Sequence, residues 1–155
     1  MVDKKTLIIC VSIHHGNTFK IAEVIGKELD AKIIKPSDIE KENIFDYDLV
    51  GFGSGIYNQK HHVSLFNLIE KLPPQNNRKT FIFSTNTFGL KTLHKPFNIK
   101  IIEKGFNIIG EFTCPGFIDY EFVKYFFGGL SKNRPNKNDL IAARDFAKEM
   151  RERIK

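Results

Sequence analysis

Cysteine is scarce in this chain: Cys10 and Cys114 are the only two among 155 residues. Two thiols so far apart in sequence build neither a disulfide framework nor a Cys-rich metal site. Cys10 lies inside an apolar run and reads as a small buried hydrophobe. Long hydrophobic runs are also missing. None approaches the roughly 18 residues that would suggest a bilayer-crossing helix, so no membrane span is expected. The first dozen residues enter a strand pattern directly, leaving no room for a charged leader, an apolar core and a cleavage site. The expected location is cytoplasmic. Acidic residues are the minority charge, 18 Asp plus Glu against 24 Lys plus Arg, for a net charge of +6. A basic surface suits acidic partners or ligands. The basic residues are scattered, however, with one modest cluster at Lys132, Arg134 and Lys137. No nucleic-acid-binding motif accompanies them, and no nucleic-acid partner is expected.

Several chemical signatures are absent as well. His14-His15 and His61-His62 do not spell a metal site, because adjacent residues usually point apart and no Cys, His or carboxylate set stands at ligand spacing. No Gly-Lys-Ser/Thr closes a Walker loop, and the three-glycine dinucleotide fingerprint is missing. Gly51-Phe-Gly-Ser54 does not complete a nucleophile elbow. No catalytic residue and no metal ligand is assigned.

What is present is a folded globular composition, 41% hydrophobic with a mean hydropathy of -0.26, at a length that fits one domain spanning 1–155. Thr6 to Val11 is a continuous apolar run, as a strand covered on both faces requires. Phe19, Ala22, Ile25, Gly26 and Leu29 follow at helical spacing. Lys32 to Ile34, Asp48 to Phe52, Thr80 to Ser84 and Asn107 to Phe112 read as further strands. A helix is predicted from about His62 to Lys71, stopped by Pro73-Pro74. Another is predicted around Leu90 to Lys104, where Pro96 must interrupt or reposition it. Asn136 and Asp139 form a capping signal for a final helix carrying Leu140, Ala143, Phe146, Ala147 and Met150. Strand and helix alternate throughout, which predicts an α/β fold: a three-layer, doubly wound, five-stranded parallel sheet.

In such a sheet the site lies beyond the C-terminal strand ends, where the strand order switches. Three connections belong there. Ser12-Ile-His-His-Gly-Asn-Thr18 has hydroxyls at both ends, a glycine and no acidic side chain, so its amides can cradle a phosphate. An ordinary turn capped by Asn17 or Thr18 suits the same spacing equally well. The stretch beyond Gly53-Ser-Gly55 presents Tyr57 and Asn58, an aromatic and an amide suited to the face and edge of a flat ring. Thr85-Asn-Thr-Phe-Gly89 adds Asn86 and Phe88 between hydroxyls. Packing of Tyr57 and Phe88 over the sheet end is the alternative use of those rings.

Taken together, the three loops resemble the FMN-binding loops of flavodoxins. Ser12-Ile-His-His-Gly-Asn-Thr18 is similar to that family's phosphate loop, which ends in Gly-Asn-Thr. Gly53-Ser-Gly-Ile-Tyr57 and Ser84-Thr-Asn-Thr-Phe-Gly89 are similar to its two flavin loops. The resemblance covers essentially the whole chain and implies a flavodoxin-like fold with FMN as cofactor. It places Ser12, His14, His15, Gly16, Asn17 and Thr18 around the phosphate. Ser54, Ile56, Tyr57, Asn58, Thr85, Asn86, Thr87, Phe88 and Gly89 would then surround the isoalloxazine. Gly110-Glu-Phe-Thr-Cys-Pro-Gly-Phe117 with Pro135-Asn-Lys-Asn-Asp-Leu140 resembles a subgroup of short flavodoxin-family proteins, some fused to ferredoxin-type iron–sulfur domains. This chain carries no cysteine cluster for such a domain, which implies a separate redox protein partner such as a ferredoxin-type iron–sulfur protein. His14 and His15 stand where the family usually has small or hydroxyl residues. The +6 charge also departs from the acidic surface typical of flavodoxins.

The implied function is electron shuttling between protein partners. A small NAD(P)H-dependent quinone or flavin reductase is the first alternative, although 155 residues leave no separate nicotinamide domain. A non-redox binding or regulatory module on the same fold is the second. The aromatic stretch 111–130 offers side chains for shielding a flavin or meeting a partner. Cys114 lies near the flavin end of the fifth strand and reads as structural rather than catalytic.

Overall fold

The computed structural model describes residues 3–13, 16–116 and 133–155. In chain order the elements are β1 (Thr6–Val11), α1 (Asn17–Leu29), β2 (Lys32–Ile34), β3 (Leu49–Tyr57), β4 (Lys60–His61) and α2 (Val63–Lys71). They continue with β5 (Arg78–Asn86), α3 (Lys95–Glu103), β6 (Phe106–Pro115) and α4 (Lys137–Arg153). Five strands run parallel in the order β2-β1-β3-β5-β6, while β4 folds back antiparallel on the end of β3. The predicted doubly wound sheet is the one observed.

Both sheet faces are covered, which explains why the strands read as unbroken apolar runs. Ile8, Cys10, Phe81, Phe83 and Phe112 point to α1 and α4, where they meet Ile21, Ile25, Phe146 and Met150. Their neighbours Leu7, Ile9, Val50, Phe52 and Ile82 point to α2 and α3, against Leu65, Ile69, Phe97 and Ile101. Two glycines shape the first layer. A Cβ on Gly51 would lie 2.2 Å from the Phe81 ring, and one on Gly53 would lie 2.1 Å from the Phe83 ring. Those two rings occupy the surface that β3 leaves free.

The strands are longer than the sequence suggests. β3 runs on to Tyr57, β5 covers 78–86 instead of 80–84, and β6 covers 106–115 instead of 107–112. The cause is cooperative pairing: Gly55 still pairs with Thr85, and Asn86 with Pro115. Residues with weak strand propensity are carried into the sheet by their neighbours. Pro96 repositions its helix as expected. A 3₁₀ turn at Lys91–His94 comes first, and Pro96 falls in the first turn of α3, where its missing N–H costs nothing. The capping box forms too, with the Asn136 side chain accepting from the Asp139 amide at 3.0 Å and the Asp139 carboxylate accepting from the Asn136 amide at 2.8 Å. Arg134 binds both oxygens of that carboxylate. Among the described residues no helix is long and apolar enough to cross a membrane.

Candidate functional site

The C-terminal ends of β1, β3 and β5 surround a cleft of about 190 Å³. Its lining includes Ser12, Asn17, Thr18, Ile56, Tyr57, Thr85, Asn86, Thr87 and Phe88, so residues from all three predicted segments meet there. Ile13, Gly55, Gln59, Leu90, Leu93 and Gly116 complete it. None of these described lining residues is charged.

The first wall is the turn from β1 into α1. Gly16 takes a left-handed conformation at φ 65° and occupies the helix N-cap position without a side chain to offer. Neither Asn17 nor Thr18 is the cap, since both already lie in the first helical turn. Thr18 instead exchanges a 2.7 Å hydrogen bond with Thr85, tying α1 to β5 directly under the cleft. The Ser12 hydroxyl is buried and has no hydrogen-bond partner among the described residues. His14 and His15 lie outside the described residues.

The second wall is the β3–β4 hairpin. Tyr57 pairs with Lys60, leaving Asn58 and Gln59 as a two-residue turn with φ of 50° and 64°. Positive φ at both central positions matches the right-handed twist of the flanking strands. Asparagine tolerates that conformation, but it is strained for Gln59. Gln59 lines the cleft, while Asn58 does not. Tyr57 packs edge-on to His62, their ring centroids 5.3 Å apart. Ser54 is fully buried and works for the fold: its hydroxyl donates to the Gly55 carbonyl and accepts the His62 amide. His62 caps α2, its Nδ1 accepting the Ser64 amide at 3.1 Å. His61 is buried against the rings of His94 and Phe97. The adjacent histidines therefore go to different structural tasks.

The third wall is the loop after β5. Asn86 holds this loop with its own side chain: Oδ1 accepts the Phe88 amide at 3.2 Å and the Leu90 amide at 2.9 Å, an Asx-type turn. Gly89 turns the chain at φ 65° outside the cleft lining. Phe88 is 74% exposed, so it stands up at the rim and does not pack over the sheet end. Gly116, beyond β6, closes the floor; a Cβ there would come within 3.0 Å of the Asn17 side chain. Sequence reading missed Gly116 because its importance lies in a close approach across the fold. It missed Gln59 because nothing in Tyr57-Asn-Gln-Lys60 announces a strand on the far side.

Cys114 lies on β6, facing the interior. Burial pushes its thiol, and that of Cys10, up to about 12. Neither is poised as a thiolate nucleophile at neutral pH.

A family model described as a flavodoxin domain matches residues 8–107. An uncharacterized protein of Methanocaldococcus jannaschii is 48% identical over 148 residues, covering 94% of this chain and 97% of that protein. Among solved structures, oxidised Flavodoxin 2 from Bacillus cereus superposes with a TM-score of 0.72 at 18% identity, over 96% of this chain and 99% of its own. A flavodoxin from the domain Archaea gives 0.69 at 15% identity, covering 97% of this chain and 98% of its own. A Fusobacterium nucleatum flavodoxin bound to flavin mononucleotide gives 0.67 at 16% identity, over 97% and 99%. With two core layers around a 2-1-3-5-6 sheet and a cleft at its switch point, the chain belongs to the flavodoxin domain family.

Proposed function

We propose that this protein binds FMN in the cleft and works in the cytoplasm as a one-electron carrier between redox protein partners, a ferredoxin-type iron–sulfur protein among them. The observation that carries the reading is the first wall. A buried serine hydroxyl without a partner among the described residues stands beside a helix start that no described side chain caps. An unsatisfied hydroxyl and a helix N-terminus are the donor set that a phosphate completes. Ser12, Gly16, Asn17 and Thr18 would hold it there. The remainder of the cleft fits a flat heterocycle. It offers Tyr57 and Phe88 as aromatic walls, Ile56 and Leu93 as apolar ones, and no charge among the described lining residues. When bound, FMN supplies the electron chemistry. The chain supplies binding, orientation and exclusion of water.

The test is fluorescence titration of the flavin-free protein with FMN, repeated on Ser12→Ala. The parent should quench FMN emission at a stoichiometry of one. Ser12→Ala should fold normally, since its hydroxyl supports nothing else described, yet bind at least about tenfold more weakly through loss of one hydrogen bond to a charged group. Equal affinities would remove Ser12 from the phosphate site. No binding by the parent would overturn the flavin reading.

A further inference from the structure

Beneath the cleft, on the α3 side of the sheet, lies a run of polar side chains that flavin binding leaves unused. His94 and Ser84 are fully buried, and the His94 ring sits between two partners. Its Nε2 is 2.6 Å from Ser84 Oγ, and its Nδ1 is 3.0 Å from Glu111 Oε1. Asn98 donates to the same Glu111 oxygen at 2.6 Å. From Ser84 the chain continues to Thr113 Oγ1 at 3.0 Å, which accepts the Asn86 amide Nδ2 at 2.9 Å. Asn86 Oδ1 then holds the Phe88 and Leu90 amides at the rim of the cleft.

Donor accounting gives this chain a direction. A carboxylate accepts only, so neutral His94 carries its hydrogen on Nδ1 and its Nε2 accepts from Ser84. Ser84 Oγ must then accept from Thr113, and Thr113 from Asn86. Each group meets a partner of opposite polarity, from Glu111 to the loop. A second proton, on Nε2, reverses the hydroxyls: Nε2–H donates to Ser84, and Ser84 donates to Thr113. Thr113 Oγ1 then accepts from Ser84 and Asn86 together, and its own hydrogen, having lost Ser84 as acceptor, swings out of the run. Turning the Thr113 hydroxyl disturbs the bond on which the Asn86 amide rests, and Asn86 cannot answer by turning over, because its amino group would then face the Phe88 and Leu90 N–H donors.

We propose that His94 is a positioning residue for the cleft, its proton occupancy setting the Asn86 amide and through it the loop 86–90. The proposal rests on the reading of that cleft as a flavin site. Three titratable groups face the ring. They are Glu111 from β6, which favours the charged form, Lys91 from the same 3₁₀ turn, which opposes it, and His61 from β4, which packs against the ring as a neutral imidazole. Burial keeps His94 below its ordinary range, with the Glu111 hydrogen bond acting the other way. The chain is accordingly set for the neutral arrangement at pH 7.

The test uses the ¹⁵N-labelled protein without flavin, followed by NMR from about pH 8 down to about pH 4.5, the window in which histidines change charge. The Phe88 and Leu90 amides should move with the His94 ring nitrogens at one shared midpoint. Glu111→Gln keeps the acceptor but loses the charge, so it should lower that midpoint. His61→Leu should leave the amides coupled to His94. Amides that stay still while His94 titrates, a midpoint indifferent to Glu111→Gln, or no titration of His94 in this window would each overturn the proposal. FMN affinity supplies a second readout. Falling from about pH 7.5 to 5 should weaken the parent about threefold to tenfold more than His94→Gln, the effect of one hydrogen bond. The titration of the FMN phosphate, with a pKa of about 6, is common to both proteins and cancels in that ratio. Equal losses would overturn the relay. If the parent binds no FMN at any pH, the flavin reading fails, and the amide titration alone decides the relay.

Discussion

Gly53 has nowhere to put a side chain, because the Phe83 ring already fills the position of its Cβ. Gly53→Ala should therefore destabilise by about 1 to 3 kcal/mol, as overpacking in a rigid core does, read as a fall in the midpoint of chemical denaturation. Phe83→Leu in the same chain should recover part of the loss by vacating that space. His61 gives an opposite kind of prediction. Burial, with the charge of His94 adding to it, pushes its pKa down to about 3 from an ordinary 6.5. It is neutral in the folded protein, and its Nδ1 has no partner among the described residues. Folding stability is then fully present above about pH 6.5 and falls by about 1.4 kcal/mol per pH unit as pH drops from there toward 3. His61→Leu should change little at pH 7 and flatten this acid limb, as seen in urea denaturation at stepped pH. An unchanged slope would assign the acid loss elsewhere. At this scale the sequence was only partly legible. Ser12, Thr18, Tyr57 and Phe88 stand at the cleft because strand-end position fixes them. Ser54 spends its hydrogen bonds on its own surroundings instead, and Asn86, although it lines the cleft, commits its side-chain oxygen to the loop; no local pattern announces either use. The Ser84, His94 and Glu111 contacts join residues 10 and 17 positions apart, a spacing without a motif.

Among the elements, the β3–β4 hairpin is the least comfortable. Gln59 holds a left-handed conformation that costs a residue with a Cβ roughly 1 to 2 kcal/mol. Gln59→Gly should raise stability by up to about 1 kcal/mol, the relief being offset by the freedom glycine gains in the unfolded chain. A thermal midpoint at or below the parent's would show that the Gln59 side chain contributes more than its strain. The helices were legible in outline from their apolar spacing and from punctuation such as Pro96 and Asn136, which act within a single turn. The strand ends were not. Gly53 to Tyr57 look like loop because glycine and serine resist strand formation; pairing with β1 and β5 carries Gly53 to Gly55 onward, and pairing with β4 carries Ile56 and Tyr57. The consequence is functional: Gly55, Ile56 and Tyr57 meet the cleft from a hydrogen-bonded strand, which fixes them better than a free loop would.

For the molecule as a whole, the alternation of five strands with helices was enough to predict the sheet, since right-handed crossovers leave few other ways to bury both faces. Net charge is one property in which this chain departs from the acidic surface expected of flavodoxins. At +6, the protein disfavours an anionic reduced flavin less than an acidic surround does. The second one-electron potential should accordingly be less negative than in acidic flavodoxins, and raising the salt should narrow that difference. The most direct measurement is an anaerobic reductive titration of the FMN-reconstituted protein, followed by absorption and repeated with NADH and NADPH. Two separate one-electron steps, with the second at a less negative potential and no reduction by either nicotinamide, would bear out a carrier served by protein partners. Rapid two-electron reduction by a nicotinamide would contradict it and make the protein a reductase.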